Sequence, residues 1–220
     1  MFNINEQLVA NDQFTLDLNG TQLLNHEVIA RYVEKQLKND YQLAPLTIKT
    51  IEERYEHDIH FESNGRPYSR MVGGIIDRED NVTLNGVRHY RIVDYKTSIK
   101  EKKANTIEDL FTPSKNRSGH IFQTFCYSEV RMAVARDKGE TLQAIMPTLL
   151  YIKLKMNAEK PGIHLDKEHI TDYQQQCHEE FHKRLSALLA EIYDTNTPFT
   201  QTADTEVCER CPFSQLCNRK

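Results

Sequence analysis

The 220 residues carry 28 Lys and Arg against 32 Asp and Glu, a net charge of −4, with 39% hydrophobic and 27% charged residues. That is the composition of an ordinary soluble globular chain, long enough to bury a real core, and it excludes a global polycation, so contact with a polyanion must rest on a local basic patch. No run of about 18 apolar residues is present, the start "MFNINEQLVANDQF" has no signal-peptide pattern, and five cysteines with three in the last 13 positions form no secreted disulfide framework. These features exclude a membrane span and predict a reducing, cytoplasmic location.

In chain order, residues 21–38 place Leu24, Val28 and Tyr32 on one stripe and Ile29, Val33 and Leu37 beside it, the spacing of an amphipathic helix. Three strand-like segments follow: one near residues 46–51 with "RYEHDIHF" behind it, then "YSRMVGGIIDR", then "VRHYRIVDYKT", the last two joined through Asn85-Gly86. A lysine-rich connection spans residues 98–118. Lys100, Lys102, Lys103, Lys115 and Arg117 outnumber Glu101, Glu108 and Asp109 there, so this stretch is either a solvated loop or a mobile basic contact for a nucleic-acid strand. "HIFQTFCYSEVRMAVARDKG" predicts a helix stopped by Gly139, "PTLLYIKLK" a strand, and residues 167–193 one long helix. This order predicts an α/β fold with a mixed central β-sheet flanked by helices.

The chemistry concentrates between Gly73 and Thr97. Asp77 ends one apolar run and Asp94 another, so two strand-end carboxylates can converge, and hard oxygen ligands suit Mg²⁺ or Mn²⁺. Lys96, two residues after Asp94, shares its strand face, while Tyr95 points the other way. A metal-binding acid pair beside a fixed ammonium is what phosphodiester hydrolysis requires. Each part also has a bland reading, with Asp77 paired to Arg78 or Arg70 and Asp94 with Lys96 a solvated surface pair.

Taken in order, "GGIIDR", "RIVDYKT" and "QTFCY" resemble the RecB-like nucleases of the PD-(D/E)XK superfamily, in particular the C-terminal nuclease domain of AddB-type helicase-nuclease subunits. The resemblance implies the restriction-endonuclease-like fold, with Asp77 and Asp94 as metal acids, Lys96 as catalytic lysine and the Tyr95 carbonyl as a metal ligand. Gln123 and Tyr127 would be the Q-x-x-x-Y pair on one helix face. It further implies a metal-dependent DNA exonuclease acting on single strands beside a helicase domain or subunit in double-strand-break repair. A non-catalytic DNA-binding or assembly scaffold is the alternative reading.

The family's early histidine ligand has one counterpart, His26, six residues after Gly20. The triplet Cys208-x2-Cys211-x5-Cys217 resembles the family's [4Fe–4S] ligands, with zinc, idle thiols and a small adaptor built around the tail as alternatives. The fourth ligand is expected upstream of Met1, Cys126 and Cys177 being read as helix residues. The expected organisation is a nuclease domain over residues 1–200, lacking an N-terminal part, and a cysteine-rich tail over 201–220.

Overall fold

Two Asn-Gly pairs fold the central chain back on itself. Asn64 and Gly65 (φ 53° and 70°) and Asn85 and Gly86 (φ 50° and 79°) occupy the left-handed region in succession, the backbone of a tight hairpin turn whose twist matches that of its strands. They join β1 (Leu46–Ser63), β2 (Arg66–Leu84) and β3 (Val87–Lys96) into an antiparallel meander, registered Ser63↔Arg66 at the first turn and Leu84↔Val87 at the second. The computed structural model describes residues 19–98, 103–113, 117–154 and 162–219.

The chain divides into two compact units, residues 1–38 and 39–220. In the first, helix α1 (Gly20–Gln42, whose last residues belong to the second unit) carries no buried side chain, and its polar face holds an exposed Glu34–Lys38 ion pair. In the second, β4 (Ile145–Tyr151) pairs with β3 in parallel, from Tyr90↔Ile145 to Lys96↔Tyr151, completing a mixed sheet ordered β1-β2-β3-β4. A parallel neighbour needs a crossover. Helix α2 (Gly119–Asp137) supplies it, capped at its start by the Ser118 hydroxyl accepting from Ile121 N and followed by Gly139 at φ 67°.

The layered α/β architecture is the one expected, with two differences of detail. The first strand and "RYEHDIHF" are one continuous 18-residue β1. The expected long helix over 167–193 begins later and is broken. Asp166 at φ 50° turns a small hairpin between β5 (His164–Leu165) and β6 (Glu168–His169). Asp172 then caps α3 (Tyr173–Gln176) by accepting from Gln174 N and Gln175 N, and Cys177 (φ −132°) interrupts the helix before α4 (His178–Ile192). The connection after β3 is also not a free loop in its described part: Ala104, Ile107 and Leu110 are buried, and Asp109 accepts from Asn105 N and Thr106 N.

The main core lies between the sheet and the helices, where Ile59, Ile76, Ile92, Ile121, Phe125, Tyr173, Phe181 and Leu185 pack together. On the opposite face of β2 and β3, Arg78 binds Asp40 through two nitrogens (2.7 and 3.0 Å) and Asp80 through Nε (2.7 Å). Arg91 donates to both oxygens of the same Asp80 (2.6 and 2.7 Å). Two arginines and two aspartates leave this buried cluster neutral. Asp80→Ala would leave the buried Arg91 guanidinium without its carboxylate, while Arg78 keeps Asp40, and is expected to cost about 3–5 kcal/mol, measured by urea unfolding.

Candidate active site

The β2–β3 register reaches Arg78↔Val93, and one step further along both strands stand Asp77 and Asp94. The pleat is shifted by one residue just here. Gly74 packs against Tyr127 of α2 and Glu79 binds Arg131 of α2, although five residues separate them and strict alternation would send them to opposite faces. Opposite the shift, the β1 register passes from Ile51↔Arg78 to Glu53↔Ile76, and the intervening Glu52 has φ 55°. A non-glycine residue at positive φ inside a strand costs on the order of 1 kcal/mol or more. Such irregularities re-aim side chains, and here Asp77 Oδ2 accepts from Tyr95 N at 2.7 Å.

Asp94 is 3% exposed, and Lys96 Nζ stands 2.7 Å from its Oδ2. This ion pair is the one contact the buried Oδ2 makes among the described residues. The Asp94 carboxyl titrates above its ordinary value, chiefly because burial disfavours its charge; Lys96 opposes the shift and the nearby Asp77 charge adds to it. The solvated surface pair is thereby overturned for Asp94 and Lys96. The bland partners of Asp77 are engaged elsewhere: Arg78 on Asp40 and Asp80, Arg70 over the Tyr193 ring at 4.3 Å. Tyr95 lies on the other strand face, its hydroxyl accepting from Arg78 Nη1 at 3.0 Å.

Lys96 also donates to Gln123 Oε1 at 2.7 Å, and Gln123 Nε2 donates to the Tyr127 hydroxyl at 2.8 Å. Gln123, Tyr127 and Arg131 succeed one another at intervals of four along the sheet-facing side of α2. The Tyr127 ring sits on Gly74, where an added Cβ would stand 3.0 Å from Cε1 and 3.3 Å from the hydroxyl. At Gly73 a Cβ would fall 2.2 Å from the Tyr55 carbonyl oxygen. The glycine pair therefore does two jobs: Gly73 admits β1, and Gly74 admits the tyrosine.

Two carboxylates on facing strand positions, one of them buried, make a donor set that fits a hard divalent cation. Asp77 and Asp94 would hold it.

The other sequence candidates fall elsewhere. His26 is an exposed residue of α1 in the first unit. Cys208, Cys211 and Cys217 are free thiols around a short 3₁₀ turn, Thr205–Arg210, with Cys208 buried. Burial pushes the Cys126 and Cys177 thiols up to about 12, as suits core residues. Of the basic connection, Lys103 and Arg117 are exposed, while Lys100, Lys102 and Lys115 lie outside the described residues.

Among the described residues, the group of three whose ligand atoms converge is Glu129 with His178 and His182. The sequence reading missed it, and its one visible signal was the four-residue spacing of the two histidines.

The family model of the PD-(D/E)XK nuclease superfamily matches residues 3–218. No curated protein matches the chain at a significant level.

Calorimetric titration with Mn²⁺ is expected to show binding at least about 10-fold weaker for Asp77→Ala than for the parent, with the exposed-acid variant Glu62→Gln unchanged. Gly74→Ala is expected to displace the Tyr127 ring at a cost of about 1 kcal/mol in urea unfolding, whereas Gly73→Ala, facing rigid backbone, should cost on the order of 3 kcal/mol or more.

Proposed function

Because the chain belongs to the PD-(D/E)XK nuclease superfamily, we propose that it hydrolyses phosphodiester bonds of DNA at Asp77, Asp94 and Lys96, with Mg²⁺ or Mn²⁺ as cofactor. The observation that carries the reading is the polar chain Asp94–Lys96–Gln123–Tyr127, which ends at a buried carboxylate whose partner is the Lys96 ammonium. An ion held by the two aspartates, with the Tyr95 carbonyl as a further ligand, supplies Lewis-acid shielding of the phosphate and a water of lowered pKa.

The remaining work falls to the protein's own groups. Gln123 accepts from the Lys96 ammonium and holds it beside Asp94, and Tyr127 holds the Gln123 amide in turn, so the ammonium is positioned before substrate arrives. A cation fixed in a partly dehydrated site acts most strongly on charge that develops during reaction. Lys96 therefore stabilises the growing negative charge on the phosphate oxygens in the transition state. Asp77, anchored by the Tyr95 N–H, keeps its carboxylate aimed at the same point. Lys103 and Arg117 contact the DNA backbone without reading sequence.

The resemblance of "GGIIDR", "RIVDYKT" and "QTFCY" to AddB-type subunits supports a finer proposal. In it the chain is an exonuclease that receives single strands from a helicase domain or subunit during double-strand-break repair in the cytoplasm. His26 is a further metal ligand there, and the cysteine triplet contributes to a [4Fe–4S] cluster.

Lys96→Ala should lower the metal-dependent cleavage rate about 10²-fold or more, equivalent to about 3 kcal/mol of barrier, with DNA affinity nearly unchanged. Changing Lys103 and Arg117 together should do the reverse, weakening binding and flattening its salt dependence. A wild-type chain without metal-dependent cleavage, or a Lys96→Ala variant altered only in affinity, would overturn the catalytic assignment in favour of a DNA-binding scaffold.

A further inference from the structure

On the side of α2 turned away from Gln123 and Tyr127, a second constellation has no part in the proposed cleavage. Glu129 is buried, its side chain 4% exposed, and its two carboxylate oxygens are each met by a histidine of α4: Oε2 by His178 Nδ1 at 2.8 Å and Oε1 by His182 Nδ1 at 2.6 Å. One ligand atom from each of the three residues lies within 4.8 Å of the others. We propose that Glu129, His178 and His182 form a transition-metal site, of the class that takes Zn²⁺, which ties α4 to α2.

The two histidines are four residues apart on one helix and so project from one face with their rings adjacent, centroids 5.5 Å apart. This is the spacing by which a single helical turn supplies two imidazoles to one ion. The third donor comes from a different helix, so binding would cross-link two elements rather than decorate one. Two imidazoles and one carboxylate match the borderline preference of zinc, and differ from the all-oxygen set at Asp77 and Asp94 that suits magnesium. The two sites therefore select different ions.

The carboxylate is held for the purpose by an outer partner. Tyr173, fully buried, donates its hydroxyl to Glu129 Oε2 at 3.0 Å, the kind of support that fixes a ligating carboxylate and raises metal affinity. The histidine side chains, by contrast, are 33% and 43% exposed, which leaves an entry path and room for water in a fourth position. Bonds of about 2 Å at tetrahedral angles place ligand atoms about 3.3 Å apart. Each imidazole must therefore withdraw by about half an ångström from its present hydrogen bond, within reach of a partly exposed side chain. The ion would replace the hydrogen atoms now shared between the two Nδ1 atoms and the carboxylate.

The test uses the 220-residue chain with Cys208, Cys211 and Cys217 changed to serine, which removes the competing thiols of the tail. Zn²⁺ is titrated against a chromophoric chelator. The variant pair His178→Gln and His182→Gln keeps amide donors for Glu129 and so preserves the fold, as circular dichroism would check. It is expected to bind one ion fewer per chain, or to bind that ion at least about 100-fold more weakly. Tyr173→Phe is expected to weaken the same ion about 10- to 100-fold. Zn²⁺ should raise the melting temperature of the parent more than that of the double variant, which keeps Asp77 and Asp94, and X-ray absorption of the loaded parent should show two imidazole rings on the ion. Equal stoichiometry and affinity in parent and double variant, or a spectrum without imidazole scattering, would overturn the proposal and leave Glu129 as a buried carboxylate satisfied by three hydrogen bonds.

Discussion

The seat of the Tyr127 ring on Gly74 fixes where α2 lies over the sheet, and the rest of the arrangement follows from that contact. With the helix there, Gln123 comes down on Lys96 one turn earlier and Arg131 on Glu79 one turn later. The opposite face turns Phe122 and Phe125 against Phe181 of α4, and Glu129 against His178 and His182. A methyl group at Gly74 would enter the ring's contact distance. The absence of a side chain at one strand position thus sets the register of a 19-residue helix.

Three buried carboxylates on β2 and β3 show why one part of the sheet is structural and another suited to chemistry. Asp80 receives Arg78 and both ends of the Arg91 fork, and Glu79 receives Thr50, Tyr55 and Arg131. Both are fully engaged and neutralised, as buried acids must be if they serve stability alone. Asp94 has a single lysine as its partner, and that lysine is shared with Gln123. Burial and the nearby Asp77 charge both disfavour its ionised form, and a bound cation would relieve that cost.

Much of this was legible from local chemistry. Asp94 and Lys96 share a face by the two-residue period of a strand, Gln123 and Tyr127 by the four-residue interval of a helix, and the turn at Asn85-Gly86 follows from its two residues alone. The identical signal at Asn64-Gly65 defines the first hairpin just as well. The long terminal helix was misjudged because apolar residues at 170, 173, 177 and 181 keep helical spacing across a hairpin end and a break, while the cap in "TDYQQQ" marks the true start. The pleat shift at Asp77 was not legible: it coincides with a positive φ at Glu52, a residue type that rarely takes one. Nor was the partnership of Glu129 with histidines 49 and 53 residues away, since only tertiary packing brings α4 beside α2.

The strand order leaves β1 and β4 as the outer strands of the sheet. Such edges offer backbone donors and acceptors to any neighbouring chain, and β1, with 18 residues, offers an unusually long row. Its middle, however, reads Glu52, Glu53, Arg54, Tyr55, Glu56, His57 and Asp58, and the positive φ of Glu52 interrupts its pleat. A second copy aligned along this edge would set like charges against each other and meet a strand that is not straight. On the far side, Pro147 denies β4 one donor, and its carbonyl is already taken by Ile163 N at 3.3 Å. The positive φ at Glu52 and the charge of the strand's middle therefore both disfavour pairing of a second chain along this edge.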